Sequence, residues 1–326
     1  MDCSSVLPCN KIKKKLSITG IWQLLVSIPL LSGDVIFVDY GNPYNDKPLK
    51  VGELTLSITE QQSPIHTKVY FPQEPGLYPA VLFFPGLNGY VLSEFYENVL
   101  IRIASHGFFV FGLDYKFPAE NLNQKEDSKQ DLKKIFEAYS WLQSYMTNKT
   151  VATIAWNATG LMCHSAGCDA TLKVIRMQPK MFTSTVFLEP FSYDVLKKVD
   201  SSIPAFMYGT ELSEVGLIKC CLPGTDYNKF YEIWSCPKVV MNVADFGHCD
   251  ILDSLPWTAC KDSHFCTITK NVTSIPQYHE FVQGTASSFF ISSLQGRKDA
   301  MKFITDRSLI PFTLLELKSD SNCTAG

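Results

Sequence analysis

Two uninterrupted apolar runs limit what this chain can fold into more than any other feature: Ala80-Val81-Leu82-Phe83-Phe84 and Phe108-Phe109-Val110-Phe111-Gly112-Leu113. A half-buried strand alternates apolar with polar residues. A run without that alternation, stopped in the first case by Pro85-Gly86, marks a strand covered on both faces. Between the two, residues 95–104 set Val99, Leu100 and Ile103 on one side of a helix that His106-Gly107 ends. Strand, helix, strand closes through a right-handed crossover and gives a parallel sheet.

The alternation continues along the chain. Residues 132–146 carry Leu132, Ile135, Phe136, Tyr139 and Leu142 at helical spacing. Strands are expected at 159–163, 185–188, 203–208 and 238–243, and helices at 169–177 and 278–293. Residues 54–58 and 66–71 alternate as half-buried antiparallel strands do. No repeat or low-complexity linker intervenes, so one α/β domain is expected over residues 40–320. A hydrophobic fraction of 46 % suits a full core, and a net charge of -3 offers no basic field, which excludes nucleic acid as a partner.

Four lysines within residues 11–15 precede an apolar stretch over 16–31 and then Ser32 and Gly33. That order reads as a secretory signal peptide or signal anchor over residues 1–33, short for a membrane span of roughly 20 residues. A buried core helix is the ordinary alternative, opposed by Pro29 and by the lack of an amphipathic stripe. Sequons at Asn148, Asn157, Asn271 and Asn322 add mild support for a lumenal, glycosylated and secreted chain. So do eleven cysteines with no C-x-x-C pair, among them Cys220, Cys221, Cys236, Cys249, Cys260 and Cys266. Close spacings such as Cys260 to Cys266 suit loop-stapling disulfides, whose connectivity stays open.

The run Cys163-His164-Ser165-Ala166-Gly167 falls between an expected strand and an expected helix. A serine on such a turn lifts its hydroxyl above the sheet, within reach of a histidine, as the nucleophile of an α/β-hydrolase fold does. The usual pattern is G-x-S-x-G, and Cys163 departs from it. The plain alternative is a serine N-cap at a strand–helix junction. Phe84-Pro85-Gly86-Leu87-Asn88-Gly89 follows an earlier buried strand, where an oxyanion loop belongs. The backbone N–H groups of Leu87 and Ala166 are thus the expected oxyanion donors, against a simple turn as the alternative. In this fold the base follows the nucleophile in the chain. Among His248, His264 and His279, His248 is preferred because it lies in a loop after the last clear strand. His106 and His164 precede Ser165.

The runs Phe95-Tyr96, Ile103-Ala104-Ser105-His106-Gly107-Phe108, His164-Ser165-Ala166-Gly167 and Asp245-Phe246-Gly247-His248-Cys249-Asp250-Ile251-Leu252-Asp253 together resemble the chlorophyllase family, over roughly residues 50–295. Cys221, Pro223, Tyr227, Phe230, Tyr231 and Cys236 echo a cysteine-flanked loop of that family. The resemblance implies a mostly parallel sheet with helices on both faces and a serine esterase acting on an ester of a lipophilic alcohol. For the plant members that reaction takes chlorophyll to chlorophyllide and phytol. The family's Asp-Pro pair after the next strand corresponds here to Glu189-Pro190, making Glu189 the expected acid; Glu211 or Glu214, after the following strand, is the competing location. No metal or organic cofactor is called for. Tyr90, Phe95, Phe191 and Tyr193 are candidates to line an apolar slot, whereas Phe83 and Phe84 suit the core. Association with a membrane or lipid surface is expected as well. A lipase or carboxylesterase acting on another lipid ester, or an inactive hydrolase fold used for binding, stays open. A cysteine hydrolase using Cys163 or Cys168 fits poorly, because neither occupies the turn apex.

Overall fold

A computed structural model describes residues 38–117, 128–199, 201–215, 219–220, 222–235 and 237–321. The expected signal segment, Asn322, Cys221 and Cys236 lie outside the described residues. The elements run β1 (Val51–Leu56), β2 (His66–Pro72), β3 (Leu77–Phe84), the short turn α1 (Gly86–Gly89), α2 (Glu97–Ser105), β4 (Phe109–Asp114), α3 (Ser128–Tyr145), β5 (Thr153–His164) and α4 (Gly167–Met177). They continue with β6 (Ser184–Leu188), β7 (Ala205–Thr210), α5 (Tyr227–Ile233), β8 (Lys238–Val243), α6 (Ser254–Ser263), α7 (Ile275–Ser293), α8 (Lys302–Thr305) and β9 (Leu314–Asp320).

All nine strands form one sheet in the order β1-β2-β4-β3-β5-β6-β7-β8-β9. The strands from β4 to β8 pair in parallel, and β1, β2 and β9 join antiparallel at the edges. This is the α/β-hydrolase fold. The uninterrupted apolar runs serve both faces: Val81 and Phe83 pack in the core beneath α2 and α7, while Ala80, Leu82 and Phe84 pack in the core beneath α3 and α4. Each strand residue thus takes a side by its parity.

Some expectations shift. The helix expected from residue 95 begins at Glu97, after a 3₁₀ turn over Ser93–Tyr96. β5 starts at Thr153 rather than 159, because its pairing with β3 slips between Pro79 and Ala80 and leaves a bulge. The first strand lies at Val51–Leu56 rather than 54–58, an edge strand whose Leu54 stays half-exposed. The segments α5, α6 and β9 carry no expectation from the sequence; β9 reads LLELKSD and holds its place by pairing with β8. Among the described residues, no helix is long and apolar enough to cross a membrane.

Candidate active site

The C-terminal ends of the parallel strands converge on one cleft of about 830 Å³. β5 delivers Ser165 to it. The chain leaves the strand, turns left-handed at Ser165 (φ 55°) and enters α4 two residues later. That conformation costs a non-glycine residue of order 1–3 kcal/mol and persists only where its surroundings hold it. Here the Ser165 N–H donates to the Leu188 carbonyl (3.1 Å), and the Ser165 carbonyl accepts from the N–H groups of Phe191 (3.1 Å) and Cys168 (3.0 Å). Gly167 is required by proximity: a Cβ there would sit 2.3 Å from the Pro85 carbonyl oxygen and 2.4 Å from that of Phe84. The departure at Cys163 has a structural partner, because Cys163 and Cys168 form a disulfide under the turn. Both sulfurs are therefore committed, which removes the cysteine-hydrolase alternative.

β6 delivers the carboxylate. Glu189 follows that strand directly, is itself left-handed (φ 48°), and donates its N–H to Tyr208 at 2.7 Å. Its buried side chain stands 3.3 Å, Oε2 to Nδ1, from the buried His248 imidazole. The Ser213 hydroxyl donates to the same Oε2, and Ser213 in turn lies 2.7 Å from the Thr210 hydroxyl. Ser213 escaped the sequence reading, and a serine in Glu211-Leu212-Ser213-Glu214 offers no signal that could have found it. The competing carboxylates face elsewhere: Glu211 accepts the Asp245 N–H at 2.9 Å, and Glu214 shares a hydrogen bond with Asp226. Burial, then the neighbouring Asp226, raises the Glu214 carboxyl above its ordinary range.

β8 delivers His248 through a loop built by the rest of its motif. Asp250 accepts the N–H groups of Gly247 and Thr269, both at 2.8 Å, and the indole N–H of Trp257 at 2.8 Å. Asp253 accepts two bonds from Asn98 of α2. A Cβ at Gly247 would lie 2.0 Å from the Thr267 carbonyl oxygen. His279 donates from Nε2 to the Asp250 carbonyl (2.7 Å), so its role is structural, and His264 ends α6 in a left-handed turn. Two further disulfides staple this wall, Cys249–Cys260 beside His248 and Cys220–Cys266; Cys260 thus pairs with Cys249 and not with Cys266.

Leu87 and Ala166 both line the cleft beside Ser165, with Leu87 (φ 49°) and Asn88 (φ 52°) left-handed in α1. Tyr90, Phe95, Phe191 and Tyr193 line it as expected, whereas Phe83 and Phe84 are buried in the two cores. Around the mouth, Leu87, Tyr193, Leu222, Leu255 and Phe265 are cleft-lining yet exposed. The described sequons Asn148, Asn157 and Asn271 all sit on the surface.

A chlorophyllase family model matches residues 40–321. The chain belongs to the chlorophyllase family. Two curated relatives from Arabidopsis thaliana are similar to it. Chlorophyllase-1 is 26 % identical over 281 residues, 77 % of this chain and 83 % of that protein. Chlorophyllase-2 is 25 % identical over 251 residues, 69 % of this chain and 76 % of that protein.

Proposed function

We propose that this chlorophyllase-family chain is a serine esterase that cleaves the carboxylic ester of a lipophilic alcohol. Ser165 is the nucleophile, His248 the general base and Glu189 the carboxylate that orients the imidazole. His248 takes the Ser165 proton from the face opposite Nδ1 as the alkoxide attacks the ester carbonyl. The N–H groups of Leu87 and Ala166 hold the developing oxyanion. His248 then protonates the departing alcohol, and water, activated in the same way, releases the acid and restores Ser165. A glutamate in the acid's place is one methylene longer than aspartate, and the left-handed turn at Glu189 together with the Ser213 bond aims it at Nδ1.

One observation carries the reading: His248, paired behind with the buried Glu189, lines the same cleft as a serine held in a left-handed turn. The cleft's apolar lining supports a lipophilic ester. The names of the two plant relatives favour chlorophyll, cleaved to chlorophyllide and phytol. Exposed Leu255 and Phe265 at the mouth support work at a membrane or lipid surface. Three disulfides among the described residues, with the surface sequons, support a secreted glycoprotein. Cytosolic retention in expressing cells, with a mobility indifferent to glycosidase, would rule that out.

The test compares wild type, Ser165→Ala, Glu189→Gln and Glu211→Gln on a p-nitrophenyl ester and on chlorophyll, with fluorophosphonate labelling of each. Ser165→Ala is expected to abolish labelling and lower kcat by roughly 10³-fold or more, and Glu189→Gln by several orders, with Glu211→Gln near wild type. A wild-type protein that takes no label is a binding protein and ends the esterase reading. Phytol release from chlorophyll no faster than from a blank, beside rapid cleavage of simple lipid esters, moves the substrate to the latter.

A further inference from the structure

We propose that His164 and Tyr96 form a positioning relay, working only with the His164 proton on Nε2, that ties the Gly86 turn and the His248 main chain to the strand that presents Ser165. The inference rests on the esterase reading for what the relay positions, but the relay itself is a matter of hydrogen-bond direction.

Three contacts define it. The Gly86 N–H donates to the Tyr96 hydroxyl oxygen at 3.1 Å. That hydroxyl stands 2.8 Å from His164 Nδ1, and His164 Nε2 stands 3.2 Å from the His248 carbonyl oxygen. A carbonyl can only accept, so Nε2 carries the proton. The Tyr96 oxygen already accepts from Gly86, and its one proton points to Nδ1, which must accept in a neutral imidazole protonated on Nε2. The Nε2 end fixes the tautomer, and the Tyr96 end is satisfied by that same tautomer. Every donor then runs one way from Gly86 to Tyr96; from Tyr96 to His164; and from His164 to His248.

The surroundings hold that state. Tyr96 and His164 are both buried, and the tyrosine ring packs edge-on against Phe83 with centroids 4.8 Å apart. Burial, and then the His248 imidazole beside it, pushes His164 well below the usual histidine range, so His164 stays neutral. The two imidazole rings lie 4.6 Å apart. A neutral His164 adds no repulsion when His248 takes up the Ser165 proton; a charged one would.

The placement explains why these residues matter to catalysis without touching a reacting atom. Gly86 immediately precedes Leu87, the proposed oxyanion donor. His164 immediately precedes Ser165. The acceptor at the far end is the main chain of the base itself. One chain of three bonds thus joins the loops of the anion site, the nucleophile and the base, and misplacement of such loops by about 1 Å can cost 10²-fold in rate.

The test has an arm that needs no activity. In protein labelled with ¹⁵N-histidine, the His164 ring signals, assigned by their loss in His164→Gln, are expected to show protonated Nε2, bare Nδ1 and no titration between pH 5 and 9. A proton on Nδ1, or titration within that range, overturns the relay whether or not the protein proves to be an esterase. On a soluble ester, Tyr96→Phe is expected to lower kcat roughly 10- to 100-fold with KM within twofold. His164→Gln, which can still donate to the His248 carbonyl, is expected to retain at least tenfold more kcat than His164→Leu. Unchanged kcat in Tyr96→Phe, or equal kcat in the two His164 variants, overturns it as well. Loss of the esterase reading is told apart by Ser165→Ala, which then keeps its rate while the tautomer result stands.

Discussion

Replacing Cys163 and Cys168 together with alanine is expected to damage catalysis more than stability, in contrast to the other disulfides. The stability side follows from loop length. Cys163 and Cys168 are 5 positions apart, Cys249 and Cys260 11, and Cys220 and Cys266 46. Chain-entropy arguments then assign about 2 kcal/mol to the first crosslink, about 3 to the second and about 4 to the third. At roughly 2–4 °C per kcal/mol for a chain of this size, losing Cys163–Cys168 lowers Tm by about 4–8 °C, and losing Cys220–Cys266 by about twice that.

The catalytic side runs the other way. The short crosslink encloses residues 164–167, which include the left-handed Ser165 and the tightly packed Gly167. Both cysteines are fully buried, one at the end of β5 and one in the first turn of α4, so the bond holds the two arms of the turn together. Without it, the three backbone hydrogen bonds at Ser165 carry more of the work of opposing relaxation of a conformation that costs of order 1–3 kcal/mol. A fall in kcat of roughly tenfold to a hundredfold is expected on a soluble ester at 20 °C, normalised to sites titrated with a fluorophosphonate. The comparison is Cys220→Ala with Cys266→Ala, expected to show the larger loss of Tm and the smaller loss of kcat. The reverse order, or a Cys163→Ala/Cys168→Ala protein with wild-type kcat, would refute the reasoning.

Two further outcomes are expected. Burial, reinforced by the Arg102 charge, holds the His106 imidazole down at about 4. The unfolded chain takes that proton near 6.5, so the native state is favoured in full above pH 6.5 and loses up to about 3 kcal/mol as pH falls through 6.5 to 4. His106→Asn should flatten the Tm profile across that window, and an unaltered slope would show that His106 is not its source. At the cleft mouth, Leu255 is 74 % exposed and Phe265 49 %, so Leu255→Asp and Phe265→Asp should change stability by no more than about 0.5 kcal/mol. With phytyl ester presented in phosphatidylcholine vesicles, KM should rise roughly tenfold, an apolar contact area of this size being worth a few kcal/mol at most. On p-nitrophenyl acetate the variants should match wild type; an equal loss on both substrates would sink the lipid-surface reading.

What the sequence made legible is what burial writes into it locally. A strand covered on both faces must be apolar throughout, so β3, β4, β6, β7 and β8 announced themselves. β9, an exposed edge strand with three charged residues in seven, did not. The proposed nucleophile Ser165 was marked by its place between strand and helix, and the proposed base His248 by chain order. The proposed acid stood between Glu189 and Glu211 or Glu214 because strand ends look alike in sequence; the left-handed backbone at Glu189 and its contact with His248 are properties of packing. Partners separated by long stretches of chain were invisible for the same reason. Ser213 meets Glu189 across 24 positions and Tyr96 meets His164 across 68.

The histidine motif shows how such a signal is best read. Of the nine residues from Asp245 to Asp253, His248 is the one that stands 3.3 Å from the Glu189 carboxylate. Gly247 admits the Thr267 carbonyl, Asp250 collects three donors, Asp253 ties the loop to α2, and Cys249 is stapled to Cys260. Burial raises the carboxyls of Asp250 and Asp253 above their ordinary range, and hydrogen bonds from Trp257 and Asn98 partly offset it. The length of the motif therefore measures how much backbone must be fixed to aim one imidazole. By the same logic the short serine motif can tolerate Cys163 in place of glycine, since the disulfide to Cys168 fixes from beneath the turn that the histidine loop needs nine residues to build.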